Sequence, residues 1–188
     1  MALLNKMNCS LCVIDVQEAF RKTIGLGSIV PNINLLIRVA GILNVPVIKT
    51  EQYSRGLGKT VKEISLDIQA IEKTAFSCFG SDGFIKALSQ IRKEQLILAG
   101  IETHICISQT ALDAMKNGYE VFVAKDATSA NSPEKKETAL DGLLQAGCRV
   151  KSTEQIIYEL ARDASDPKFG EILDAVKNAQ NQHPGDLP

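Results

Sequence analysis

The stretch QLILAGIETHICISQTALDAMKNG, Gln95 to Gly118, changes character part-way along. Gln95 to Ala99 is a short apolar run with no helical period, the mark of a buried strand. From Thr103 onward Ile105, Thr110, Leu112 and Met115 recur near the helical spacing, and Gly118 supplies the stop. The turn between, Gly100 to Thr103, puts Cys106 in the first turn of a helix that follows the C-terminal end of a strand. Open α/β sheets bind ligands at that end of their strands. Unpaired amides and the positive end of a helix dipole favour a thiolate there. Free cysteine is also among the most buried residue types, so position alone leaves a core cysteine and a nucleophile both open.

The same alternation extends in both directions. Ser10 to Ile14 (SLCVI) reads as a buried strand ending at Asp15, and a glycine-bearing loop, Gly25 to Ser28, precedes a helix from Pro31 to Leu43. Ile33, Leu36, Ile37 and Ala40 share one face of that helix. Val45 to Ile48 is the second strand, followed by a polar loop, Thr50 to Thr60. Gln69 to Glu72 reads as a short strand that delivers Lys73 at its end, and Ser81 to Ile91 as a helix. Beyond the central stretch, Val121 to Ala124 is a strand ending at Lys125 and Asp126. Ser132 and Pro133 cap a helix to Ala146, and Cys148 to Lys151 is the last strand. Ser152 with Gln155 forms a capping box for a helix to Ala161. Asp166 and Pro167 open a final helix, and the tail from Asn178 reads as frayed. Strand and helix alternating about six times through short links predicts one α/β domain over residues 1–188. Its sheet should be parallel and covered on both faces.

Composition narrows the function classes. Net charge of −1 gives no argument for nucleic acid or an anionic membrane surface. Six Phe, three Tyr and no Trp are too few and too scattered for a base-stacking platform. No apolar run approaches the ~20 residues of a membrane span. The start, MALLNKMNCS, has neither the apolar segment nor the cleavage site of a signal peptide. The expectation is a cytoplasmic protein with a small-molecule substrate and no nucleic-acid or membrane partner.

Five cysteines, an odd number without an export signal, argue for reduced thiols. Cys9 and Cys12 fit C-x-x-C but fall within or against a strand, where a redox pair would want a helix start. The second pair of a structural zinc site is missing. Gly58, Lys59 and Thr60 invite a phosphate-loop reading, but the motif needs glycine five positions before Gly58 and Tyr53 stands there. That loop reads instead as a flap beside a pocket, with Tyr53 as a lining residue.

Asp15, Lys73 and Cys106 each stand at the carboxyl end of an expected strand, so a parallel sheet gathers them on one edge. A carboxylate can take the thiol proton and an ammonium can hold both anions in place. Spacing alone favours the plainer reading, in which Asp15 caps a turn and Lys73 is solvated.

The segments VIDVQEAF (13–20), TEQYSRGLGKTV (50–61), EKTAFSCF (72–79) and GIETHICISQTALDA (100–114) together resemble the isochorismatase-like cysteine hydrolase family, and especially its isochorismatase-domain-containing subgroup. The resemblance runs from about Ser10 to Leu160. It implies a three-layer α/β/α, Rossmann-like fold with a six-stranded parallel sheet, and an Asp–Lys–Cys triad falling on Asp15, Lys73 and Cys106. It also implies a cis peptide at Ile101–Glu102, with the Glu102 and Cys106 amides as an oxyanion hole. Nicotinamidase members of the family carry a metal site with a D-x-H pair and a further histidine. Here the histidines are His104 and His183, with none between Asp15 and Lys73, so no metal and no cofactor is expected. His104, two residues before Cys106, reads as structural.

These readings converge on a metal-free cysteine hydrolase of a small amide or carbamoyl compound, working through a thioester, with Phe20, Tyr53 and Phe76 on the pocket wall. The alternatives are vinyl-ether hydrolysis of the isochorismatase type, or a binding module without turnover on the same fold. A homo-oligomer, dimer or tetramer, is expected.

Overall fold

A computed structural model describes residues 3–181. Six strands run β1 (Cys9–Ile14), β2 (Val47–Gln52), β3 (Ile71–Lys73), β4 (Gln95–Ile101), β5 (Glu120–Ser129) and β6 (Arg149–Lys151). They form one sheet in the order β3-β2-β1-β4-β5-β6, and every pairing is parallel. The helices are α1 (Leu26–Leu43), the one-turn α2 (Ser54–Leu57), α3 (Asp82–Ile91), α4 (Ser108–Lys116), α5 (Pro133–Gln145), α6 (Thr153–Ala161) and α7 (Phe169–Asn181).

The strands explain why there are two cores. Along β1, Cys9, Leu11 and Val13 join one buried cluster with residues of α1, α6 and α7. Cys12 and Ile14 join a second cluster with residues of α3, α4 and α5. β4 divides in the same way, Ile97, Ala99 and Ile101 against Leu96 and Leu98. A period of two on strands apolar on both faces is what a doubly covered parallel sheet requires. The three-layer α/β/α architecture follows.

Helix α1 carries Leu26, Ile29, Ile33, Leu36, Ile37, Ala40 and Leu43 buried at three- and four-residue intervals. By length and composition it would pass for a membrane span, yet this stripe belongs to the core beneath the sheet. The helix begins at Leu26, so the loop expected at Gly25–Ser28 is mostly helical and Pro31 lies inside the helix. Proline there forgoes one helical hydrogen bond, which the buried stripe outweighs. Helix α7 extends to Asn181, so the tail expected from Asn178 begins within its last turn; the rest of that tail, His183 included, lies outside the described residues.

Strand order reverses between β1 and β4, and the crevice at that switch point is where open α/β sheets place their sites. Gly100 makes the crevice tight. It pairs with Ile14 at φ +119°, and a β-carbon on it would stand 2.0 Å from the Ile14 carbonyl oxygen. Only glycine fits that approach.

Candidate active site

Asp15 directly follows β1, at φ 54°, in the left-handed region that aspartate tolerates better than most residues. Its amide donates to the Thr50 carbonyl on β2 (3.2 Å), which fixes where its side chain leaves the sheet. Oδ1 accepts from the Thr50 hydroxyl at 2.7 Å and Oδ2 from Lys73 Nζ at 2.7 Å. Lys73 is the last residue of β3, one residue past the strand expected from sequence. Its ammonium also donates to Gln52 Oε1 (2.6 Å) and to the carbonyls of Phe76 (3.1 Å) and Ala75 (3.2 Å). A buried charge needs such a complete set of partners.

Cys106 lies in a wide, π-helical turn, Thr103–Ile107, that precedes α4, rather than in the first turn of a regular α-helix. The turn is anchored at both ends. The amides of Ile105 and Ile107 both donate to the Glu102 carbonyl, and the Thr103 hydroxyl donates to the Ser129 carbonyl on β5. The Ile101–Glu102 peptide that enters it is cis.

Burial pushes the Cys106 thiol up to about 12; the negative charge of Asp15 acts in the same direction, and Lys73 only partly offsets them. The helix start was expected to favour a thiolate; burial and the Asp15 charge act in the opposite direction here. The remaining cysteines, Cys9, Cys12, Cys78 and Cys148, are likewise buried free thiols. Cys9 and Cys12 face opposite cores across the sheet, so their C-x-x-C spacing makes no pair.

The pocket candidates divide. Tyr53 donates its amide to the Lys73 carbonyl (2.9 Å), and Phe76 gives its carbonyl to the Lys73 ammonium. Both side chains are 53% exposed. Phe20 sits in a short 3₁₀ turn, Glu18–Lys22, and packs on the core cluster of α1. The flap is docked through Glu51, whose carboxylate accepts from the Thr60 amide and hydroxyl (both 2.8 Å) and from Lys59 (3.2 Å). Lys59 and Thr60 thus hold a carboxylate, not a phosphate. His104 faces a groove of about 590 Å³ between α4 and α5, and its buried Nδ1 has no hydrogen-bond partner among the described residues. No group of three or more His, Cys, Asp or Glu suited to a metal ion occurs among the described residues.

The sequence pattern gave Thr50, Gln52 and Thr110 no place at the site. Thr110 Oγ1 accepts from the Cys78 amide (2.9 Å), tying α4 to the segment after Lys73. Ending the second strand at Ile48 hid the other two, because β2 continues to Gln52. Carrying the period of two past Ile48 would have put Thr50 and Gln52 on its face.

Comparison with known proteins places this geometry. The isochorismatase domain model matches residues 9–155. The chain belongs to the isochorismatase family. The secreted isochorismatase effector Isc1 of Phytophthora sojae is 37% identical over 175 residues, covering 89% of this chain and 83% of that protein. Among solved structures, the MAR1 ribonuclease of Caenorhabditis elegans shares 32% identity at a TM-score of 0.88, covering 100% of this chain and 98% of that one. YcaC from Pseudomonas aeruginosa, determined with hexane-2,5-diol and covalent acrylamide, shares 26% identity at a TM-score of 0.86, covering 96% and 95%. This isochorismatase-family chain is therefore hydrolase-like in its relatives and its fold.

Proposed function

We propose that this protein is a metal-free cysteine hydrolase acting on a small amide or carbamoyl compound. The observation that carries the reading is the buried Asp15 carboxylate, held by the Lys73 ammonium at 2.7 Å and near enough to the Cys106 thiol for its charge to raise that group.

Burial and the Asp15 charge disfavour a pre-formed Cys106 thiolate, so proton removal accompanies attack. Asp15 accepts the S–H proton as sulfur bonds to the carbonyl carbon. Lys73 remains charged beside Asp15 and limits the build-up of negative charge as the thiolate forms. The resulting oxyanion lies on the Glu102 and Cys106 amides. Asp15 returns its proton to the leaving amine, and the C–N bond breaks to give a thioester. Water, deprotonated by Asp15, then adds to the thioester carbon and releases the acid and the thiol.

The covalent acrylamide on the Pseudomonas relative supports a nucleophile on this fold that reacts with a small amide-bearing electrophile. The Caenorhabditis relative's name raises RNA cleavage as a second reading. Against it, Arg21 is held by Glu18 and Glu63, Lys59 by Glu51 and Lys73 by Asp15, which leaves these cations little for a phosphate backbone. Five free thiols suit a reducing compartment, in keeping with a cytoplasmic location. The exposed Leu112 on the α4–α5 groove and Leu144 on α5 favour a homo-oligomer that covers them.

A panel of small primary amides, carbamoyl compounds, an enol-ether dicarboxylate and single-stranded RNA tests the assignment, with and without chelator. Turnover of an amide or carbamoyl compound, abolished in Cys106→Ala and kept after chelation, is expected. Turnover that survives Cys106→Ala would discard covalent catalysis and promote the vinyl-ether route. RNA cleavage alone would overturn the amide reading.

A further inference from the structure

We propose that Gln52, clamped by Gln17, is a positioning residue that pins the Lys73 ammonium on Asp15 and thereby sets the reactivity of the Cys106 thiol. This rests on the thiol reading above and adds a device that acts on it from outside the triad.

Lysine is a point charge on a long flexible stem, so holding it in one place takes contacts on more than one side. Lys73 has two short ones, to Asp15 Oδ2 (2.7 Å) and Gln52 Oε1 (2.6 Å), and two longer ones to main-chain carbonyls. The Gln52 amide admits a single orientation. Its Nε2 donates to the Thr74 carbonyl at 2.6 Å. A flipped amide would turn N–H groups towards an ammonium and oxygen towards a carbonyl, two repulsive contacts in a buried place.

Gln17 locks the main chain of Gln52 from both sides. Its Oε1 accepts from the Gln52 amide (2.8 Å), and its Nε2 donates to the Gln52 carbonyl (3.0 Å). The same Nε2 reaches the Gly58 carbonyl of the flap at 2.7 Å. Gln17 is fully buried, two residues after Asp15. A strut therefore runs from the flap through two uncharged side chains to the ammonium. Glutamine suits this place, since its carbonyl anchors the ammonium without adding a charge that would compete with Asp15 for it.

The rate at which iodoacetamide alkylates Cys106, followed by peptide mass mapping across a pH series, tests the strut without any substrate. Gln52→Leu keeps the volume and removes the acceptor. Alkylation in the folded variant should slow about tenfold, the scale of one hydrogen bond to a charged group. Gln17→Leu should slow it in the same direction but less. A residue that merely fills space would lower the melting temperature and leave the alkylation rate alone. A folded Gln52→Leu that is alkylated within about twofold of the parent rate therefore overturns the proposal. Where Gln52→Leu does not fold, Gln52→Glu serves instead. It keeps an acceptor on the ammonium but draws it from Asp15 and adds negative charge, so alkylation should again slow; an unchanged rate overturns the strut. Failure of the amide panel would sink the proposed hydrolysis, while the alkylation ratio still decides the strut.

Discussion

Lys73 and Asp15 form an ion pair of 2.7 Å in which the two side chains are 0% and 2% exposed. Burying a pair this completely brings a desolvation penalty that its mutual attraction only approximately offsets, so net stability is a weak reason for its presence. Breaking it from one side is another matter, because the survivor is left charged and alone in a dry site.

Lys73→Met should therefore destabilise the protein by about 3–5 kcal/mol. Asp15→Asn in the same chain should recover part of the loss, since a neutral amide can stay buried without a cation. Urea unfolding of the single and double variants measures both.

Catalytically, Cys106 and Asp15 act as one unit under the proposed mechanism, so their losses should not add. Cys106→Ala and Asp15→Ala should each lower kcat/KM by several orders of magnitude, and the double variant little further. His104→Ala, on the α4–α5 groove, should stay within about tenfold, or ~1.4 kcal/mol of barrier.

Alkaline pH should unfold the protein through its thiols. Burial raises Cys78 and Cys148 to about 11, and Cys9 and Cys106 to about 12, from an ordinary 9.0. Above pH 9.0 the unfolded chain releases thiol protons that the folded chain retains, so the unfolded state binds fewer protons and stability falls as pH rises. This contribution is constant below that point and drains away as pH climbs towards 11–12. Thermal melts between about pH 8 and about pH 10.5 should show a steady fall in Tm, reduced when buried cysteines are replaced by alanine or valine.

Gly100→Ala should be among the most damaging single changes, above about 4 kcal/mol, because the new β-carbon meets main-chain oxygen and the positive φ forbids escape. Gly142→Ala, with nothing within 4 Å of the new atom, should be stabilising by about 0.5–1 kcal/mol. Solubility and melting temperature of the pair make the comparison.

The order of strands and helices was legible because the central strands β1 and β4 are apolar throughout and the longer helices carry a stripe or a cap. Ser152 and Gln155, for instance, form the capping box that their spacing implies. The ends of elements were harder. Polar Thr50, Glu51 and Gln52 look like loop, yet they complete β2 because the site supplies partners for their side chains. Leu112, read as part of a core face, is 47% exposed, while the smaller Thr110, Ala111 and Ala114 pack inwards. Close packing of α4 selects small residues there, which a hydrophobicity pattern undervalues. The three strand-end residues were visible one by one. Their meeting depended on a switch point that only strand order reveals.

Of the three strands that carry Asp15, Lys73 and Cys106, the one bearing the lysine is the least secured. β3 is three residues long, lies at the margin of the sheet and is hydrogen-bonded on one side only, to β2. Such a margin opens at lower free energy than the centre, where β1, β4 and β5 are flanked on both sides. Under the proposed mechanism, loss of function on heating or in mild denaturant should then be a local event. The peripheral strand should let go and the ammonium leave the carboxylate while amide-exchange protection in the middle of the sheet is still nearly intact.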